Sequence, residues 1–229
     1  ISDCLVGSEM CIRDSSFIMN NLSDSLNDIA QTNVYGLFMQ PVGRYRIKDH
    51  QKYKTQILEY IQKLDGNELK NERPTISVNV VQLGDHKILE LPEFAELKNE
   101  IKNAVNEVNK DALAYDLTNN TYFSDSFIEL GYEGAMYAPH EHSNVIYSGT
   151  YFVNYIPEQH SPLKFRRNIN SAHYPMLQFP QSTLNPFNQL DAVVPYEEGD
   201  IIIHPPNMQH GFEGSGHANR ITLSFNVAP

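Results

Sequence analysis

The spacing of apolar positions gives the chain two textures. From Asp49 to Asp65, the residues Tyr53, Ile57, Tyr60, Ile61 and Leu64 recur at helical intervals, as expected of a helix that buries one stripe. Asp49 stands where an N-cap belongs, and the polar stretch from Gly66 to Pro74 ends the pattern. A second helix is predicted over 92–113. Pro92 suits its first turn, and Phe94, Leu97, Ile101, Val105 and Val108 follow at steps of 3, 4, 4 and 3. Glu96, Lys98, Glu100 and Lys102 then form a solvated face. Strands are predicted at 33–47, with a turn near Pro41 and Gly43, and at 75–83 (TISVNVVQL).

From Thr121 onward helical periodicity stops. β-Rich runs at 121–130, 145–156, 163–166, 192–195, 199–204 and 220–227 alternate with Pro, Gly and Asn clusters. That pattern predicts a sandwich or barrel of short antiparallel strands, with the two helices on one outer face. The Pro-, Asn- and Gln-rich segment 157–190 is predicted to hold long loops. No internal repeat and no clear linker divides residues 19–229, which we read as a single domain, with helical support over 33–115 and a β core over 121–227. Residues 1–18 (ISDCLVGSEMCIRDSSFI) look foreign to the rest and resemble translated adaptor sequence. We expect a natural start at Met19 and a non-native or disordered leader.

Composition narrows the function classes. With 229 residues, 41% hydrophobic and 20% charged, the chain can bury a real core and falls among soluble globular proteins. No apolar run is long enough to cross a bilayer. The net charge of −11, relieved only by the local Lys164–Arg167 cluster, disfavours bulk nucleic-acid binding. It does not exclude a small anion held by one buried arginine. The two cysteines, Cys4 and Cys11, leave the body of the chain without a disulfide framework or thiolate metal site, which suggests a reducing, cytoplasmic setting. Seven of nine histidines (140, 142, 160, 173, 204, 210 and 217) fall in the last ninety residues, favouring a metal or acid–base site there.

Two stretches carry the candidate chemistry. In Gly134–Asn154, His140 and His142 stand at i and i+2; on an extended strand their rings share a face, with Cα atoms roughly 6–7 Å apart, close enough to hold one metal ion. Alone, such a pair is more often surface or core histidine. In Gly199–Asn226, a strand over 199–204 leads through a turn at Pro205–Asn207 to His210, and Arg220 opens the strand RITLSFNV. Alternation there puts Ile221, Leu223, Phe225 and Val227 on one face and Arg220, Thr222, Ser224 and Asn226 on the other. A polar face on a buried strand implies a wet pocket, where an arginine would clamp a carboxylate. The plainer readings are surface positions for His160, His173 and His217, a satisfied core position for His204, and packing for Tyr147 and Tyr151. Ser224 and Asn226 could merely hydrogen-bond within the barrel.

The pattern His140-x-His142, SGTYFV, GDIIIHPPNMQH ending in His210, and then Arg220 resembles the iron(II)- and 2-oxoglutarate-dependent oxygenases. More narrowly, it resembles a subfamily of uncharacterised oxygenases with the order H-x-H, H, R. The resemblance is strong over 126–227 and weaker over 33–120. It implies a mainly β fold with supporting helices, a double-stranded β-helix or jelly-roll, cupin-like barrel. It further implies Fe(II) on His140, His142 and His210, and 2-oxoglutarate with its distal carboxylate on Arg220, beside Thr222, Ser224 and Asn226. Dioxygen and a small-molecule or peptide substrate would complete the reaction, with succinate and carbon dioxide released. His142 departs from the family's usual pattern, which has a carboxylate there; Glu141 points to the opposite strand face. Thr222 replaces a commoner Ser, and His204 stands where relatives often carry an apolar aromatic. A cupin is the alternative with the same three ligands, but its later Glu is replaced by Ile146 or Tyr147, and Arg220 has no role in it. A catalytically silent metal- or ligand-binding barrel is the other alternative.

Overall fold

The last strand buries apolar side chains on one face and polar ones on the other, and this sets the architecture around it. The computed structural model describes residues 40–64, 69–70, 76–84, 86–117, 121–167, 183 and 188–229, all within one compact unit spanning Phe38–Pro229. The leader, residues 33–39 of the first predicted strand, His173 and much of the 157–190 segment lie outside the described residues.

The strands are β1 (Gly43–Arg46), β2 (Leu69–Lys70), β3 (Ser77–Leu83), β4 (Tyr122–His140), β5 (Tyr147–Asn154), β6 (Lys164–Arg166), β7 (Asp191–Ala192), β8 (Asp200–His204), β9 (Gln209–Phe212) and β10 (Arg220–Ala228). Among the described residues two α-helices, α1 (His50–Lys63) and α2 (Ala95–Asp111), precede β4. The sheet order is β1-β8-β5-β10-β4-β9-β6-β7, with β3 added on β4 and β2 on β3. The sheet curls on itself, so that Phe165 of β6 meets His204 of β8 with ring centroids 5.1 Å apart, although four strands separate them in the order. This is the jelly-roll arrangement expected.

Both helices pack on the outer face. Tyr53 and Ile57 of α1 and Leu97, Ile101 and Val105 of α2 join Ile201, Ile203, Leu223 and Phe225 in one core. Gly149 makes room on β5, because a Cβ there would overlap the Phe225 ring. Asp49 precedes α1 as expected but caps through its backbone: its carbonyl accepts from Lys52 N (3.0 Å) and Tyr53 N (3.3 Å), while its side chain makes no cap bond. Pro92–Phe94 forms a tighter turn before α2 begins. The charged face of α2 is spent on ion pairs, Lys98 with Glu90 at 2.6 Å and Glu96 with Lys52 of α1. Asp200 is fully buried at the start of β8, where Arg44 and Arg46 of β1 hold it at 2.7 and 3.0 Å.

β4 runs ten residues further than its predicted end at 130. Its first part pairs with β10 and its last part with β9. Between them a bulge intervenes: Gly131 faces Val80 while Met136 faces Val78. Gly134 (φ 74°) and Asn79 (φ 52°) supply the left-handed backbone, and Asn79 Nδ2 donates to the Glu133 carbonyl at 2.9 Å. Such a bulge bends a strand and re-aims the side chains beyond it. Here it carries β4 from one half of the barrel to the other and delivers His140 to β9.

Candidate active site

His140 and His210 are directly paired across β4 and β9, and their rings lie 4.6 Å apart. His142 comes two residues after β4 has ended, so the strand pleat does not place it, contrary to the expectation from spacing. Instead its backbone N–H donates to the Pro206 carbonyl at 3.0 Å, and the turn swings its ring to 5.3 Å from His140 and 5.1 Å from His210. One nitrogen of each of the three histidines lies within 4.8 Å of the other two.

Backbone carbonyls orient the rings. His140 Nδ1 lies 2.9 Å from Ala138 O, and His210 Nδ1 lies 2.9 Å from Met208 O. An Nδ1–H donated to a carbonyl leaves the Nε2 lone pair for a cation. His210 Nε2 faces His142 Nε2 at 3.3 Å, a separation that a shared proton or a shared cation must bridge. Burial, followed by the neighbouring His204 and His140, holds the His210 pKa down to about 2, so this ring is neutral at physiological pH. Neutral imidazole is the ligating form.

An open cavity lies over this cluster, with about 530 Å³ of non-atom space when the solvent at its mouth is included. Arg220, Thr222, Ser224 and Asn226 all line it, as the alternation on β10 predicts. Arg220 is only 3% exposed, and its guanidinium carbon lies 4.0 Å from the Phe212 ring centroid. No carboxylate among the described residues pairs with it, and its Nε has no hydrogen-bond partner. Thr222 and Ser224 donate to Glu129 Oε2 at 3.2 and 3.0 Å, and Ser148 donates to Asn226 Oδ1 at 2.7 Å.

His204 also lines the cavity rather than sitting as a satisfied core residue. Its Nδ1 meets Pro205 O at 2.9 Å, but its buried Nε2 has no partner. Burial lowers its pKa to about 4. Glu129 is the residue that sequence reasoning missed; the available signal was a charged side chain alternating with the buried Ile128 in a strand. His160 is not a surface residue: it is 3% exposed, accepts from Ile156 N at 3.1 Å and reaches Ala218 O at 3.1 Å. His217 is exposed as expected. Tyr147 and Tyr151 are core residues, their hydroxyls bonded to Asn109 Oδ1 at 2.9 Å and to His50 Nδ1 at 2.7 Å.

Residues 127–226, which hold the three histidines, Arg220 and Glu129, match the family described as "Putative 2OG-Fe(II) oxygenase". The stretch 127–226 is that of a 2OG-Fe(II) oxygenase. No curated protein sequence matches it. Among solved structures, the chain is similar to a Pseudomonas putida prolyl-4-hydroxylase at 11% identity, covering 83% of this chain and 94% of that one with a TM-score of 0.58. It is also similar to HygX from Streptomyces hygroscopicus, solved with nickel and 2-oxoglutarate, at 11% identity, 83% of both chains and a TM-score of 0.57. A third similar structure is a prolyl hydroxylase from Trichoplax adhaerens with a hypoxia inducible factor peptide fragment, at 8% identity, 81% of this chain, 82% of that one and a TM-score of 0.52. At such identities these likenesses are of fold. The family match decides between oxygenase and cupin, which the three histidines alone leave level.

Proposed function

We propose that His140, His142 and His210 hold Fe(II), and that Arg220, with Thr222, Ser224 and Asn226 on the same strand face, receives 2-oxoglutarate. The observation that carries this reading is the presence, in one cavity, of three converging imidazoles and a buried guanidinium with no counter-ion among the described residues. Both features fit the groups assigned to them. Two Nε2 atoms 3.3 Å apart suit a cation, and an unpaired buried charge costs several kcal/mol until an anion reaches it. Bound there, Fe(II) and 2-oxoglutarate supply the oxidation of a C–H bond by dioxygen, with succinate and carbon dioxide as products.

The chain's own residues supply orientation. Arg220 presents a planar donor fork that suits a carboxylate, and the Phe212 ring against it keeps that fork in place and water away from it. The Ala138 and Met208 carbonyls fix the ring planes of His140 and His210. With His142 in the place of a carboxylate, all three donors are neutral, so a bound ion keeps its full charge and attracts the anionic co-substrate more strongly. We expect hydroxylation of a small molecule or a peptide; HygX has been solved with hygromycin B and the Trichoplax enzyme with a peptide. No described helix is long and apolar enough to cross a membrane, and the cysteine-free body of the chain is the support for a cytoplasmic setting. We assign the activity to a single domain over residues 19–229.

Anaerobic titration of the Fe(II)-loaded protein with 2-oxoglutarate tests the reading. The expected result is a visible absorption band that saturates with 2-oxoglutarate, and succinate once air is admitted. Neither band nor succinate under any condition would overturn it.

A further inference from the structure

Glu129 of β4 stands directly opposite Thr222 of β10, on the face that lines the cavity, and is 8% exposed. Its two oxygens are treated differently. Oε2 accepts from both Thr222 and Ser224, whereas Oε1 receives no hydrogen bond from a described residue. No lysine, arginine or histidine among the described residues pairs with the carboxylate. It is also not the carboxylate missing beside His142, because the group of atoms able to share a metal contains histidines alone.

Its nearest candidate partner is Arg220, which faces Gly131 and is therefore a diagonal neighbour of Glu129 on the sheet. Diagonal positions are about 7–8 Å apart, within reach of two long side chains. The pair nevertheless does not form. Arg220 lies against the Phe212 ring, and two hydroxyls hold Glu129. A buried charge without a counter-charge is costly. One cavity that holds a cation and an anion apart is arranged for ligand groups of both signs.

We propose that Glu129 recognises a cationic nitrogen, an ammonium or guanidinium, on the primary substrate, while Arg220 takes the carboxylate of the co-substrate. This rests on the oxygenase reading of the same cavity. A neutral or anionic substrate would leave Glu129 uncompensated once the cavity filled. The acidic chain, with a net charge of −11, also favours the approach of cations.

The test uses the full chain loaded with Zn(II), so that nothing turns over, and calorimetric titration with n-butylamine and with n-butanol, each with and without 2-oxoglutarate. The amine is expected to bind about 10-fold more tightly than the alcohol, the scale of one charge-assisted contact. Glu129→Gln, which keeps an acceptor for Thr222 and Ser224, should bring the two within about 2-fold, while Glu129→Asp, which keeps the charge, should retain the preference for amine. Unchanged Zn(II) affinity of the Gln variant excludes misfolding as the cause. Equal binding of amine and alcohol to the unaltered protein, or a preference that survives Glu129→Gln, overturns the proposal. Failure of the Zn(II)-loaded protein to bind 2-oxoglutarate would instead count against the oxygenase reading, and the amine arms without 2-oxoglutarate would still report on Glu129.

Discussion

The two faces of β10 are buried to nearly the same degree, yet they do different things. Toward the helices, Ile221, Leu223, Phe225 and Val227 are at most 5% exposed; toward the cavity, Arg220, Thr222 and Asn226 are at most 7% exposed. Burial does not separate them. What does is whether the buried atoms are satisfied. The apolar face has no polar atom to pair, and the helices close it. The cavity face has an arginine without a counter-ion among the described residues, and the adjoining β8 ends in His204, whose Nε2 has no hydrogen-bond partner. Unpaired polarity costs stability that the apolar face must supply, and a protein keeps it where a ligand will pair it.

If that division holds, substitutions on the two faces should fail in different assays. Phe225→Ala removes a ring that is 1% exposed and edge-on to Phe123 at 5.7 Å. The expected loss is about 3–5 kcal/mol in urea denaturation, the range for emptying a core aromatic position. Arg220→Ala should do the reverse. We expect 2-oxoglutarate binding to the metal-loaded protein to weaken roughly 100-fold, or about 3 kcal/mol, for a lost bidentate charged contact. Its denaturation midpoint should move far less than that of Phe225→Ala, since the guanidinium loses its contact with the Phe212 ring but no counter-ion among the described residues. A collapse in stability with unchanged 2-oxoglutarate affinity would make Arg220 a structural residue and end the comparison.

Much of this division is legible along the chain. Alternation in RITLSFNV identifies both faces of β10, and the steps of 3 and 4 in α2 identify its buried stripe, because both are local periodicities. For His142 the spacing gives the right residue and an incomplete reason: its position depends on a turn held by Pro206, 64 residues away in sequence, which no local period encodes. The extension of β4 is hidden because glycines at 131 and 134 look like a strand end, although here they form the bulge that redirects it. Glu129 escapes notice since one charged residue in a strand is usually solvated. Only the pairing with β10 shows it inside the barrel.

Acid should expose the cost of the cavity face in the metal-free protein. Burial holds the pKa of His204 at about 4 and that of His210 at about 2, and it also lowers that of His160, against 6.5 for a free histidine. A group with a depressed folded pKa binds more protons when unfolded, so stability is fully present above pH 6.5 and falls as pH drops toward the folded value. The slope is about 1.4 kcal/mol per pH unit for His204 and for His210, or about 2 kcal/mol for each of these two by pH 5. Denaturation midpoints measured between pH 7.5 and 5 should show this decline, and His204→Phe should remove about 2 kcal/mol of it. A decline of the same size in that variant would mean that His204 is not buried as a neutral ring.

The smallest effect belongs to a buried polar bond that crosses the helix-facing layer to reach α2. Tyr147 is 1% exposed on β5, and its hydroxyl donates to Asn109 Oδ1 at 2.9 Å. Burial pushes its pKa up to about 12, so the group is a neutral donor throughout the working range. Asn109 also holds the chain after the helix, through Nδ2 to Tyr115 O at 2.8 Å and Oδ1 from Tyr115 N at 3.1 Å. Tyr147→Phe keeps the ring and deletes only the donor. Asn109 Oδ1 retains the Tyr115 N–H, so no acceptor is stranded, and the cost should be about 1 kcal/mol in the same urea assay. 2-Oxoglutarate binding should be unchanged, because the bond lies on the far side of the sheet from the cavity. A weakening of that binding would show that the position of the helix against β5 is transmitted to the cavity, and that the two faces are mechanically coupled.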